Sequence, residues 1–279
     1  MELGMYSIEL RRPSIETLFE AISSYGFKHV QFDFLSVCDE EMPRHIDSSL
    51  TARIRKAADN NGVNIVSVNG TFNMIDPDPD KRSDGLRRFE ELAKHMHELD
   101  CRFVTLCTGS RSTESMWRGH PDNQTEAAWN DLLSTMRSVL DIAERYDLIL
   151  GLETEPNNVM NTAELCRKLI ESFNNTPRLQ VIMDIANLFR PGMAHKENVR
   201  PTMRHAFDLL GDRVYLAHGK DIMESDSVRP TYAGNGIVDF AYFKELLEEI
   251  EYPGCLLLHG LHNESEFPEA PSFIHGIFG

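Results

Sequence analysis

The stretch CLLLHGLH, residues 255–262, runs three leucines into a histidine, a glycine and a second histidine. A short apolar run bounded by Gly and Pro reads as a strand buried on both faces, which is the character of a parallel sheet covered by helices. It is the eighth such run in the chain. The others open at LGMYS (3–7), HVQFDF (29–34), NIVSVNG (64–70), RFVTLCTG (102–109), LILGLETE (148–155), LQVIMDIA (179–186) and VYLAHGKD (214–221). Between them lie segments with helical spacing, such as Leu86, Phe89, Leu92, Met96 and Leu99, or Phe240, Phe243, Leu247 and Ile250, each offering an apolar stripe to a sheet. Punctuation agrees. Asp239 reads as an N-cap, Gly26 and Gly62 follow helical segments, and Pro13 and Pro201 fall near helix starts.

Eight strands alternating with helices in 279 residues predict an α/β fold, a single-domain (β/α)8 TIM barrel over residues 1–279. An open doubly wound sheet is disfavoured because the first strand-to-helix turn, SIELRRPS (7–14), lacks the G-x-G-x-x-G fingerprint of dinucleotide binding. No linker or composition break divides the chain. Only APSFIHGIFG (270–279) remains for an eighth helix, which is therefore expected to be short, with Phe273, Ile274, Ile277 and Phe278 on one face. So thin a cover makes a neighbouring subunit a candidate shield, and a homo-oligomer is the corresponding expectation.

Composition excludes several classes. Lys and Arg total 28 against 44 Asp and Glu, a formal charge of −16, which repels a phosphate backbone unless a basic patch is concentrated somewhere. None is, so no nucleic-acid partner is expected. No stretch approaches the roughly 20 apolar residues of a membrane span and the N-terminus has no signal-peptide pattern. The expectation is a cytoplasmic protein with no membrane partner. Five cysteines without a C-x-x-C pair suit a reducing compartment and read mostly as core filler.

In a barrel of this type, chemistry gathers where the strands end. Glu153 and Glu155 end the fifth run, Asp184 the sixth, His218 and Lys220 the seventh and His259 the eighth. Each follows apolar residues, so each side chain enters a largely buried region where a lone charge is costly and needs a partner or a metal. Alternation puts Glu153 with Glu155, and His218 with Lys220, on one face of their strands. Taken singly, each has a bland role: His218 as a hydrogen-bonded structural histidine, Asp184 as a helix cap, Lys220 as a partner of Asp221 or Glu155, Trp117 as loop packing. Together, Glu153, Asp184, His218 and His259 form a carboxylate and imidazole set that suits one divalent metal ion, with manganese, zinc or cobalt favoured over magnesium.

The stretches NGTFNMIDPDPDKR (69–82), TLCTGSRSTESMWRGHPDN (105–123), LGLETEPNNV (150–159), VIMDIANLF (181–189) and YLAHGKD (215–221), in that order, resemble the sugar phosphate isomerase/epimerase family of the xylose isomerase-like TIM-barrel superfamily. The resemblance implies a divalent metal held by Glu, Asp, His and Glu from strands five to eight. Glu153, Asp184 and His218 fill the first three places. His259 stands where the family usually has glutamate, so the opening leucine run would end in imidazole because that residue is aimed at the metal centre. A second departure is Asn187, where many relatives have a substrate-contacting histidine.

The function expected from this pattern is a metal-dependent isomerase or epimerase of a sugar or sugar phosphate, working by proton transfer through a metal-stabilised enediolate. Glu153 is then ligand and base, Asp184 and His218 are ligands, His259 is ligand and second acid/base with His262 or Glu264 as substitutes, and Lys220 or Glu155 orients hydroxyls. For the small-molecule carbohydrate substrate, the loop 109–123 contributes Trp117 as a stacking face, His120 as a contact and Arg111 as a phosphate contact. Asn69 and Asn73 are further polar candidates. Three rivals stand beside this reading. A dehydratase or lyase acting on a sugar or cyclitol would use the same enolate. A non-catalytic sugar-binding barrel would bind without turnover. An apurinic endonuclease is disfavoured, because strands three and four end at Asn69 and near Thr108 where that class carries zinc-binding histidines.

Overall fold

The computed structural model describes residues 1–279. Eight parallel strands close into a barrel: β1 (Leu3–Tyr6), β2 (His29–Phe32), β3 (Asn64–Asn69), β4 (Phe103–Leu106), β5 (Ile149–Glu153), β6 (Leu179–Asp184), β7 (Val214–Ile222) and β9 (Leu256–Leu258). Each of β1 to β5 pairs with the next strand in sequence, β6 pairs with β7, and β9 closes the ring by lying between β7 and β1. The short strand β8 (Pro230–Tyr232) is the exception, an antiparallel addition to the extended end of β7.

Helices α1 (Ile15–Ser24), α2 (Ser48–Asn60), α3 (Pro79–His95), α4 (Glu126–Arg145), α5 (Ala163–Ser172), α6 (Lys196–Leu210), α7 (Phe240–Glu249) and α8 (Glu266–Phe278) alternate with the barrel strands. Their starts follow the capping chemistry of the sequence. Ser14 and Thr17 form a reciprocal capping box at α1, and Asp239 accepts the Tyr242 N–H at α7. Gly26 and Gly62, after α1 and α2, have φ of +87° and +61°, a conformation that costs glycine little. Pro201 departs from expectation. It lies inside α6, which begins at Lys196, rather than near its first turn.

The eighth helix also differs from its expected form. It spans 13 residues from Glu266 and continues through Pro271, burying Phe267, Ala270, Ile274 and Phe278. Phe267 stacks on Tyr25 at 5.1 Å. Phe273, expected on the buried face, is 40% exposed. The cover over this part of the barrel is therefore built within the chain, which removes the reason given above for a shielding subunit.

One large apolar core lies between sheet and helices. A second, smaller cluster of Phe103, Ile182, Leu216, Cys255 and Leu257 fills the barrel interior. Alternation explains what sits above it. Ile182, Leu216 and Leu257 each precede by two residues a polar side chain on the same face, namely Asp184, His218 and His259. The apolar layer is thus a floor, and the polar layer lies nearer the strand ends. Gly151 lets the floor close, because a Cβ there would come within 2.4 Å of the Phe103 ring and 2.9 Å of Ile182. No helix is long and apolar enough to cross a membrane, and all five cysteines are free.

Candidate active site

At the mouth, one ligand atom each from Glu153, Asp184 and His218 lies within 4.8 Å of the others. All three residues are buried. Their strands are neighbours in the barrel, and the register sets Asp184 directly beside His218. His218 Nδ1 faces Glu153 Oε1 at 3.5 Å and Asp184 Oδ2 at 3.4 Å, while its Nε2 lies 3.2 Å from Gln31 Oε1. Burial alone would lower the basicity of His218, but the two carboxylates outweigh it and hold the imidazole at about 9.

Lys220, two residues along β7, completes the electrostatics. Its ammonium is 2.9 Å from Asp184 Oδ2. Burial opposes the charged form of Lys220, yet Asp184, Glu155 and Glu153 raise its pKa above the usual lysine range. Burial likewise opposes the charge on Asp184, and Lys220 with His218 reverses that and lowers it. The mutual support is that of a buried ion cluster rather than of isolated charges.

Asn187 ties the two glutamates together. Its Nδ2 donates to Glu153 Oε1 and to Glu155 Oε1, each at 2.8 Å, and its backbone N–H donates to Asp184 Oδ1 at 3.2 Å. Glu155 is deep enough that burial raises it to about 8 despite Lys220. Cys107, at the end of β4, lies with Glu153 and Glu155 in a second close group, and burial first, then those carboxylates, pushes its thiol well above the usual range.

His259 is next to the triad without joining it. Its ring meets His218 edge-on with centroids 5.8 Å apart, and Tyr6 in the same manner at 5.1 Å. Its Nδ1 is turned to Glu9 Oε1 at 2.5 Å. His262 and Glu264, the substitutes considered for it, are exposed, and Glu264 pairs with Arg12.

The loop residues make their hydrogen bonds outside this cluster. Arg111 spends its guanidinium on Ile75 O at 2.9 Å and Asp131 Oδ2 at 2.7 Å. His120 accepts the Asp122 N–H through Nδ1 and caps a short helical turn. Trp117 is 46% exposed, on a backbone pinned by Asn157 Nδ2 to Trp117 O and Asn158 Nδ2 to Met116 O, both 3.0 Å. Asn73 fixes the same loop through the Ser110 N–H and carbonyl.

Apart from Asn69, sequence reasoning passed over the opposite half of the mouth. Tyr6 donates to Asp33 Oδ2 at 2.6 Å, and Asn69 donates to the same oxygen at 2.8 Å. Burial raises the pKa of Asp33 against these bonds. Glu9 follows β1 and is half-buried, with most of its side chain enclosed. The signal for Asp33 was present, since HVQFDF is an apolar run ending in a carboxylate like the later ones.

The donor set of Glu153, Asp184 and His218 fits a divalent metal. Two carboxylates and an imidazole, all buried, converge within reach of one ion, and a metal held by three protein ligands would keep positions for substrate, as catalytic sites require.

Residues 19–276 match the family described as xylose isomerase-like TIM barrel. The chain belongs to that family. Inosose dehydratase from Geobacillus kaustophilus (strain HTA426) is 20% identical over 194 residues, 65% of this chain. The match spans 63% of that relative's length. Among solved structures, 3-keto-D-glucoside 4-epimerase YcjR from E. coli superposes with a TM-score of 0.74 at 17% identity, covering 99% of each chain. The IOLI protein, solved with a bound zinc atom, superposes at 0.70 with 13% identity over 100% of this chain and 96% of that one. At such identities these structures establish a shared fold.

Proposed function

We propose that this member of the family is a divalent-metal-dependent isomerase or epimerase of a sugar or sugar phosphate, working by proton transfer next to a carbonyl. The observation that carries the reading is the convergence of Glu153, Asp184 and His218 at the C-terminal mouth of the barrel. These three residues would hold the metal, which when bound supplies a Lewis acid that polarises a substrate carbonyl. The zinc in the IOLI protein and the epimerase activity named for YcjR support the same assignment.

Within the chain, the work divides by environment. Glu153 is the base that takes the proton alpha to the carbonyl, and Asn187 keeps its carboxylate oriented through Oε1. Lys220, charged and buried, and Glu155, raised to about 8 and so largely protonated at neutral pH, present donors to substrate hydroxyls. His259 stands at the edge of the cluster as the second acid/base. The floor of Ile182, Leu216 and Leu257 keeps water from beneath the reacting carbon.

A second reading is kept because a curated relative is an inosose dehydratase. It begins with the same proton abstraction and diverges by loss of a neighbouring hydroxyl. Incubating ketoses, their phosphates and keto-inositols with the metal-loaded protein in deuterium oxide separates the two. Deuterium incorporation with an epimeric or isomeric product supports the proposal, whereas an unsaturated product with loss of water supports the dehydratase. Glu153→Gln should abolish the exchange with the fold intact, and undiminished exchange would refute the role of Glu153. Binding of these compounds without any exchange would leave a sugar-binding barrel.

A further inference from the structure

We infer that Glu9 is a positioning residue that fixes the His259 ring by its Nδ1 proton and leaves Nε2 as its only working nitrogen. The catalytic part of this inference rests on the proton-transfer reading above; the tautomer part does not.

The barrel closure creates the pair. Glu9 ends the turn after β1, His259 follows β9, and β1 and β9 are hydrogen-bonded neighbours with Met5 opposite Leu258. Two residues 250 positions apart in sequence therefore meet at one point of the rim. Glu9 Oε1 is 2.5 Å from His259 Nδ1 and accepts the Gly260 N–H at 2.7 Å. Gly260 has φ of +88°, a backbone conformation that suits glycine.

Two proton placements are compatible with these distances. In one, His259 Nδ1 carries the proton and Glu9 is a carboxylate accepting from both Nδ1–H and the Gly260 N–H. In the other, Glu9 is protonated and Nδ1 accepts, with the Gly260 N–H 2.8 Å from it. The Gly260 N–H already donates to Glu9 Oε1 at 2.7 Å, so that oxygen is an acceptor, and the first placement lets it accept from both N–H groups. Burial adds to its consequence. The Glu9 side chain is 7% exposed, and its Oε2 is enclosed with no hydrogen-bond partner. His259 and Gly260 are the groups hydrogen-bonded to it, and a buried carboxylate so placed holds the ring firmly.

The ring plane is fixed from two further sides by the edge-on contacts with Tyr6 and His218. With Nδ1 committed, His259 cannot turn that nitrogen to a metal. In the reaction, Glu153 takes the proton from carbon and the electron pair stays on the substrate. His259 Nε2–H delivers a proton to the substrate and becomes neutral, still holding Nδ1–H against Glu9. In the reverse direction Nε2 takes the proton, and Glu9 is the counterion of the resulting imidazolium.

Long-range proton–nitrogen NMR of the histidine rings in the full-length protein tests this. Before metal is added, His259 should show a protonated Nδ1 in the wild type and lose that preference in Glu9→Ala. Zinc addition should give a coordination shift at His218 and none at His259 Nδ1. An unprotonated Nδ1, or a zinc coordination shift at His259 Nδ1, overturns the inference whether or not the protein turns over a sugar. For a substrate that does react, Glu9→Gln should lower kcat on the order of tenfold to a hundredfold with little change in KM or metal content, and Glu9→Asp should recover part of it. Unchanged kcat in a folded Glu9→Gln also overturns it. If no sugar reacts while the NMR result holds, the proposed function fails and the Glu9–His259 pairing stands.

Discussion

The Lys220 ammonium lies 2.9 Å from Asp184 Oδ2, the same oxygen that faces His218 Nδ1 at 3.4 Å. One carboxylate oxygen therefore serves an ammonium and an imidazole together, and the ammonium offsets the repulsion between Asp184 and Glu153. A divalent cation bound by Glu153, Asp184 and His218 would supply the same compensation from another side.

That relationship makes a prediction for Lys220→Met. Removing one partner of a buried ion cluster leaves uncompensated charge and costs about 3–5 kcal/mol, so the metal-free variant should unfold well below the wild type. Manganese or zinc should then raise its Tm by more than it raises that of the wild type, because the metal restores the lost positive charge. Thermal unfolding with and without metal measures both shifts. Equal metal-induced shifts in the two proteins would mean that Lys220 does not share this electrostatic role.

Proton release accompanies the same chemistry. His218 is held at about 9, so it is protonated at pH 7 in the metal-free protein and must lose its proton to become a ligand. Metal titration at pH 7.5 in buffers of differing ionisation enthalpy should report release of about one proton. His218→Asn should bind metal more weakly and release less. An observed binding heat independent of buffer would contradict the protonated imidazole.

Stability of the metal-free protein should fall as pH rises. His218 is raised from 6.5 to about 9, so its contribution is complete below pH 6.5 and disappears as the pH passes through 9. Glu155, raised from 4.5 to about 8 by burial, acts in the same direction between those values. Asp184 is lowered and contributes only to losses on acidification below its ordinary range. Denaturant unfolding at pH 6, 7.5 and 9 should therefore show decreasing midpoints without metal and a flatter profile with it. A midpoint that rises over this interval would contradict both shifts.

The fold was legible because its evidence is periodic. Eight apolar runs and the stripes between them recur through the whole chain, and local alternation places Glu153, Asp184 and His218 toward one mouth. The length of α8 was hidden for a local reason: Pro268 falls in its first turn, which needs no intrahelical donor, and the helix carries on through Pro271, with Phe267 and Ala270 anchoring its first turns. The Glu9–His259 pair was hidden for a topological one. Its contact exists only because the last barrel strand closes on the first, and nothing within a few residues of either side chain announces the other. Asp221 was similarly opaque, since HGKD gives no sign that its carboxylate would serve a loop 13 to 17 residues onward.

Asp221 provides the last test, because it separates the scaffold of the mouth from its chemistry. Its two oxygens accept backbone N–H groups from Ile222 at 2.8 Å, Gly234 at 3.1 Å, Gly236 at 3.0 Å and Val238 at 2.9 Å. Burial pushes its pKa up against these four donors. The turn wraps so closely that a Cβ at Gly236 would lie 2.3 Å from both Asp221 Oδ1 and Ile222 O, which accounts for the glycine in GNG. Asp221→Ala strands several of these N–H groups at once and should cost about 2–4 kcal/mol. Asp221→Asn keeps one acceptor oxygen and should cost less. Because the carboxylate faces the loop and not Glu153, Asp184 or His218, both folded variants should retain wild-type metal affinity. A metal affinity lowered tenfold in Asp221→Asn would show instead that this turn holds the ligands in place.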